Sequence, residues 1–329
     1  MSYFVSQESN VSDYPNTDSM MFFAEKVSTG VWKQTSGVDI FYGFVAHEQA
    51  SQCVVISSGR SESVIKYAEF IHELYQNGYS VFIIDHQGQG QSSRLLNNPH
   101  IGYVNTFDDY VEDLKSLINN VLNPFLIDNQ QASLPKTLLC HSMGGAIGAL
   151  YVQKYPLDFS RLILCSPMLG ILMPLPLCLT KAIVKVLVTF QTRLKLPARY
   201  FWGQANYQSY PFHNNSITNS ETRYRVYREM MANYPQNQLG GISPQWLLQA
   251  INGMSLAMAR ANKITLPTLV FQAAEDRIVD NEKITQFVKE LPHAELIIVP
   301  NAKHELLFEK NEPRTLVVTK ILDFLSLSS

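Results

Sequence analysis

Three polar residues stand just after apolar, β-rich runs, and their types are those needed for nucleophilic acyl transfer. Ser142 follows TLLC, Asp276 follows TLVFQAAE, and His304 follows ELIIVPNAK. A serine hydroxyl becomes a useful nucleophile when a base takes its proton. An imidazole serves as that base when a carboxylate fixes its tautomer. In open parallel sheets ligands bind at the carboxyl ends of strands, so residues far apart in the chain can meet there.

Ser142 lies in CHSMGGA, where a strand-like run passes into a small-residue helix. A nucleophile on so sharp a turn has a strained backbone, and its neighbours two before and two after must be small. Gly144 supplies one and Cys140, little larger than alanine, the other. Met143 would then present its backbone N–H at a helix N-terminus, where the dipole favours an oxyanion. The plainer alternative for Ser142 alone is a helix N-cap. A second oxyanion donor is expected from the loop after CVVIS, where Gly59 makes the turn and the Arg60 N–H follows. DHQGQGQS (85–92) lacks the lysine of a phosphate loop and the full G-x-G-x-x-G of a dinucleotide site, so it reads as a structural turn beneath the site.

His304 is the preferred base among eight histidines. His47, His72 and His213 fall in hairpin, helix and insertion contexts, and His100 and His293 lie beside prolines. His141 adjoins Ser142 and cannot easily swing back to it. His86 is the rival, with no acid obviously placed to orient it. Among Glu275, Asp276 and Asp280, Asp276 is the preferred acid and Asp280 the cap of the next helix.

The elements that must hold these residues alternate. CVVISSG, YSVFIID, TLLCH, SRLILC, TLVFQA and AELIIV read as buried strands, with amphipathic helical runs between them. That pattern means a mostly parallel sheet with helices on both faces, an α/β fold. VWKQTSGVDIFYGFVA reads as an antiparallel hairpin at its start. The alternation breaks from Met168 to Asn262 and then resumes. Residues 1–167 and 263–329 are therefore expected to form the core, and 168–262 a helical cap inserted over it.

Of 329 residues, 46% are apolar and 16% charged, enough for a sizeable core, and the net charge of −2 gives no reason to expect a nucleic-acid partner. The N-terminal stretch has acids where a signal peptide needs a basic patch and an apolar run, so a cytoplasmic protein is expected. Cys53, Cys140, Cys165 and Cys178 all sit in apolar surroundings and read as buried free thiols. Leu162–Thr180 is long and uncharged, but its prolines argue for a strand and loop rather than a membrane span.

With these residues in place the chain resembles the lysophospholipase L2 family, in the monoglyceride-lipase-like branch of the α/β-hydrolases, whose triads run Ser, Asp, His in chain order. The resemblance covers nearly everything after about residue 30 and rests on VVISSGRSES, IIDHQGQGQSSRLL, NPHIGYVNTFDDYV, HSMGGAI, SPMLGI, FQAAEDRIVDN and KHELLFEK. It implies an α/β-hydrolase fold and a serine esterase acting on lysophospholipids. Ser142 would be the nucleophile, Asp276 the acid, His304 the base, and the Arg60 and Met143 N–H groups the oxyanion hole. It implies no metal and no organic cofactor. Monoacylglycerol or general ester hydrolysis, acyl transfer to a lipid alcohol, and a silent lipid-binding fold are the alternatives. Where the wider branch begins its oxyanion loop His-Gly, this chain has Ser58-Gly59-Arg60, which brings a guanidinium near the site that could meet a phosphodiester.

The inserted region suits an acyl substrate. Met168 to Phe190 is apolar enough to line a chain-binding cleft, with Met168 a candidate contact. Between Asp158 and Glu221 there is no acid, while Lys181, Lys185, Arg193, Lys195 and Arg199 punctuate apolar residues, so 181–199 is expected to touch an anionic lipid interface peripherally, on the cytoplasmic face of the inner membrane. TRYRVYREM stacks Arg223, Arg225 and Arg228 with Tyr224 and Tyr227; a headgroup contact, with Arg223 the candidate, and a salt-bridged helix face are the alternatives, the second preferred.

Overall fold

The computed structural model describes residues 3–34 and 36–327, so residues 1–2 and 328–329 at the ends of the expected core segments lie outside it. Eight strands form one sheet: β1 (Ser28–Lys33), β2 (Asp39–Val45), β3 (Cys53–Ser57), β4 (Ser80–Ile84), β5 (Lys136–His141), β6 (Arg161–Cys165), β7 (Thr268–Ala273) and β8 (Ala294–Val299). Their spatial order is β1-β2-β4-β3-β5-β6-β7-β8. β1 pairs antiparallel with β2, the expected hairpin, and β2 also pairs antiparallel with β4; every other strand pairing is parallel. This is the expected mostly parallel sheet.

Successive side chains of a strand point to opposite faces, and the central strands are apolar on both. Val55, Leu138 and Leu164 enter one core, and Val54, Leu139 and Ile163 the other. Helices Asp108–Leu117, Met143–Lys154 and Asn281–Lys289 cover the first face. Helices Ala68–Gln76 and Asn311–Ser326 cover the second with Phe70, Leu74, Val318 and Leu322. The parallel strands β3 and β6 are buried throughout and β5 at every residue but Lys136, and their carboxyl ends form the floor of the site.

Residues 166–267 join β6 to β7 and contain the helices Leu177–Arg193, Glu221–Asn233 and Pro244–Ala259. They differ in how they are anchored. Pro244–Ala259 sinks Trp246, Leu247, Ile251 and Met254 into the first core, whereas Leu177–Arg193 buries only Thr180 and Val184. Leu162–Thr180 is the expected strand and loop, followed by the first turn of that helix, and no described helix is long and apolar enough to cross a membrane. The cysteine expectation needs one correction. Cys53, Cys140 and Cys165 are buried free thiols, but Cys178 is exposed, because its helix lies on the surface.

Candidate active site

Ser142 joins β5 to helix Met143–Lys154 with φ 51° and ψ −115°, a conformation in which a residue with a Cβ is strained by about 1–3 kcal/mol. Three hydrogen bonds hold it there. Its N–H donates to Cys165 O at 3.0 Å, and its carbonyl accepts from Gly145 N and Met168 N, both at 2.8 Å. An N-cap role is not what places it, since the Ser142 side chain makes no capping bond. The crowding at the turn differs in detail from expectation. A Cβ on Gly144 would collide with the Ser57 carbonyl oxygen at the end of β3, with Ser58 O only 2.7 Å away; Cys140 Sγ instead packs against Gly148, one turn further on.

The structure brings the three strand-end residues together. His304 Nε2 is 2.8 Å from Ser142 Oγ, and His304 Nδ1 is 2.8 Å from Asp276 Oδ2. The Asp276 carboxylate is fully covered, and its other oxygen accepts the Ile278 and Val279 amides at 2.8 and 3.1 Å. Burial works to raise its pKa, but the His304 hydrogen bond and charge, with the two amides, outweigh burial and hold it below the usual carboxylate value. An ionised Asp276 accepts a hydrogen bond from the Nδ1–H, which leaves the Nε2 lone pair to accept one from the Ser142 hydroxyl. Asp280 caps helix Asn281–Lys289 through the Glu282 amide, as expected, and Glu275 is exposed. His86 is not a rival base. Its Nε2 lies 2.9 Å from Ser57 Oγ with no carboxylate bonded to it, and burial pushes its pKa down to about 3.

Gly59 and Arg60 turn directly after β3. The Gly59 N–H donates to the Glu62 carboxylate and its carbonyl accepts Gln89 Nε2 at 2.7 Å. Gln89 belongs to the 85–92 loop, where Asp85 accepts the Val64 and Gln91 amides, both at 2.7 Å, so this stretch braces the turn from below. The Arg60 and Met143 amides donate to no acceptor identified among the described residues.

Sequence reasoning missed a buried ionic cluster behind His304. Glu62 meets Lys66 Nζ at 2.6 Å, Tyr67 Oη at 2.7 Å and His141 Nδ1 at 3.1 Å, while Lys66 also meets Glu305 at 2.7 Å. His141 Nε2 reaches the His304 carbonyl at 3.2 Å, and the two rings lie 5.0 Å apart. Burial opposes charge on His141, but the Glu62 carboxylate wins and raises its pKa to about 9. Glu62, His141 and Glu305 are close enough to hold a cation, and the Lys66 ammonium, paired with both carboxylates, fills that role. The only forewarning was the Glu62/Lys66 spacing of one helical turn.

A cleft of about 680 Å³ opens over Ser142 and His304 and is lined by Met168, Leu172, Tyr207, Arg228 and Trp246 among others. Met168 and Arg60 are on its wall as expected. Arg223 is not. It is 4% exposed, paired with Glu69 at 2.8 Å and bonded to the Glu309 carbonyl at 2.7 Å, which fixes the N-terminal segment near Ser6 rather than any ligand in the cleft. The salt-bridged alternative holds for Arg223 and for Arg225, which pairs with Glu229 at 2.9 Å.

Residues 48–311 match the family described as serine aminopeptidase, S33. The chain is 33% identical over 312 residues to lysophospholipase L2 of Escherichia coli (strain K12), covering 90% of this chain and 89% of that protein. It is 31% identical over 276 residues to a probable lysophospholipase L2 of Haemophilus influenzae, covering 84% of each, and 26% identical over 231 residues to monoglyceride lipase of Rattus norvegicus, covering 70% of this chain and 66% of that one. Among solved structures, a soluble variant of monoglyceride lipase from Saccharomyces cerevisiae with a substrate analogue superposes with a TM-score of 0.71 at 19% identity, covering 92% of this chain and 95% of that one. A carboxyl esterase from Bacillus coagulans superposes at 0.70 with 18% identity, covering 91% and 98%. The chain belongs to the lysophospholipase L2 family of α/β-hydrolases and is a carboxylic ester hydrolase.

Proposed function

We propose that this hydrolase cleaves the acyl ester of lysophospholipids through an acyl-enzyme on Ser142. The observation that carries the reading is the unbroken relay from Asp276 through His304 to Ser142 at the floor of a cleft large enough for a lipid. His304 takes the Ser142 proton as Oγ attacks the ester carbonyl. The Arg60 and Met143 amides hold the tetrahedral oxyanion, and the imidazolium returns its proton to the leaving glycerol oxygen. Water, deprotonated by the same imidazole, then releases the fatty acid. No step calls for a metal or an organic cofactor.

Residues 168–262 act as the cap. Met168, Ile171 and Leu172 supply apolar wall for an acyl chain. Helix Leu177–Arg193 and the turn after it expose Leu179, Val186, Phe190, Leu194 and Leu196 beside Lys181, Lys185, Arg193, Lys195 and Arg199. We take this face as a peripheral contact with anionic lipid at the cytoplasmic surface of the inner membrane, each cation near the surface contributing about 1 kcal/mol. Monoacylglycerol hydrolysis is the second reading, favoured by the similarity to monoglyceride lipases.

A fluorophosphonate probe should label wild type at Ser142 and leave Ser142→Ala unlabelled; an unlabelled wild type refutes the esterase reading. Products from lysophosphatidylethanolamine, lysophosphatidylglycerol and monoolein then separate hydrolysis of each lipid from acyl transfer between them. Flotation with anionic liposomes should be lost in Lys181→Glu/Lys185→Glu, and undiminished flotation would remove the membrane contact.

A further inference from the structure

Buried or half-buried charges in proteins are normally matched by an opposite charge, since an unmatched one forfeits its hydration. Of the three buried or half-buried Lys and Arg side chains that line the cleft, Lys66 follows this rule, held between Glu62 and Glu305. Arg60 and Arg228 do not. Among the described residues neither forms an ion pair, and both line the cleft that contains Ser142.

What holds each guanidinium is neutral. Arg60 donates to the Gly240 carbonyl at 2.5 Å and to Ser61 Oγ at 3.2 Å, and lies 5.3 Å from the centre of the Trp246 ring. Gly102 leaves the space it occupies, because a Cβ there would stand 2.7 Å from Arg60 Nη2. Arg228 donates to Tyr207 Oη at 3.1 Å and Tyr224 Oη at 2.8 Å, and it stacks over Tyr224 and Tyr227. In both, Nε is buried with no acceptor among the described residues. The two are also tied together, since Tyr227 Oη donates to Ser61 O at 3.0 Å. Aromatic rings and carbonyls fix the orientation of these forks without neutralising them. That is the arrangement of a site awaiting an anion with paired oxygens.

We propose that Arg60 and Arg228 together bind the phosphodiester of an anionic lysophospholipid headgroup while its acyl ester lies at Ser142. The proposal rests on the esterase reading and adds what that reading leaves open, the feature by which a lysophospholipid is preferred to a monoacylglycerol. Neutral headgroups gain nothing from either guanidinium; a phosphodiester gains a charge-assisted contact from each. Burial has already lowered the Arg60 pKa to about 10, consistent with a cation short of compensating charge.

The test is the ratio of kcat/KM for lysophosphatidylglycerol to that for monoolein in wild type, Arg60→Met, Arg228→Met and Arg277→Met. Arg277 lines the same cleft from the loop after β7 and is the comparator for general electrostatic attraction. The ratio should fall about tenfold or more in each of the first two variants, the scale of one lost charge-assisted hydrogen bond, and much less in the third. Arg60→Lys, which keeps charge but not the fork, should fall between wild type and Arg60→Met. Glycerophosphoglycerol should inhibit monoolein hydrolysis competitively in wild type, more strongly than inorganic phosphate and only weakly in Arg60→Met/Arg228→Met. Equal losses on both lipids would make the arginines structural and overturn the proposal. An equal fall in Arg277→Met, or equal inhibition by inorganic phosphate, would also overturn it. Fluorophosphonate labelling of Ser142 in every protein keeps the two claims apart: labelled enzyme with an unchanged ratio defeats only the headgroup site, whereas unlabelled wild type defeats the esterase reading as well.

Discussion

Cys140 and Gly148 make a closed test of how the nucleophile turn is packed. A methyl on Gly148 would collide with Cys140 Sγ, while Cys140 Cβ is 3.5 Å and Leu138 Cδ2 3.4 Å from it, ordinary contact distances. Gly148→Ala alone gains about 1 kcal/mol of helix propensity and loses about 1–3 kcal/mol to overpacking in a closed core. Cys140→Ala alone removes one buried heavy atom, at a cost of about 1 kcal/mol, near that of a methylene. In the double variant the new methyl enters the space the sulfur has left, and nothing nearer than 3.4 Å opposes it. The double variant should therefore lie near wild type, with a coupling energy of about 1–3 kcal/mol. Urea unfolding of the four proteins measures the cycle. Fluorophosphonate labelling rates report whether Ser142 keeps its geometry, and should drop in Gly148→Ala and recover in the double variant. Additive stabilities within about 0.5 kcal/mol would refute the packing argument.

Asp276→Asn should lower kcat by about 10⁴-fold, because an amide no longer fixes the His304 tautomer; a loss under tenfold would remove Asp276 from its proposed role. By NMR titration, the buried His86 ring should stay neutral down to about pH 3 while His141 stays protonated up to about pH 9. Since the folded pKa of His141 is raised from 6.5 to about 9, its contribution to stability is complete below pH 6.5 and fades as pH rises through 9. Wild type should lose stability relative to His141→Asn across that window, and parallel profiles would contradict the ion pair with Glu62. Arg314 is fully buried and donates to both Glu73 oxygens at 2.7 Å, so Arg314→Met strands the Glu73 carboxylate and should cost about 3–5 kcal/mol in urea unfolding; a cost below about 1 kcal/mol would show that the carboxylates find other partners.

The parts of the site that come from strand ends were legible in the sequence, because an apolar run followed by a polar residue marks where a parallel sheet stops. Ser142, Asp276 and His304 are marked that way, and VWKQTSGVDIFYGFVA reads as the hairpin that β1 and β2 form. Asp280 was legible as a cap because capping is local. What depends on side chains from distant segments was not legible. Lys66 meets Glu305 across 239 positions, and Arg223 meets Glu69 across 154, so nothing near Arg223 distinguished a structural arginine from a ligand-facing one. Arg228 shares TRYRVYREM with Arg223 and Arg225, and only the course of the chain separates it from them by placing it in the cleft. Cys178 failed for a related reason, since an apolar neighbourhood in sequence became an exposed one on a helix that buries two residues.

The strand order has a consequence for the chain as it is made. Ser142 follows β5 at the centre of the sheet, whereas His304 follows β8, an edge strand and the last strand in chain order. On the proposed roles, a nascent or truncated chain can present the nucleophile turn and the Gly59 loop while lacking the group that activates them. Glu305 then closes on Lys66 and draws the loop after β8 against the Glu62 segment, more than two hundred residues upstream. On those roles the turn and its activating base meet only once the last strand has joined the sheet.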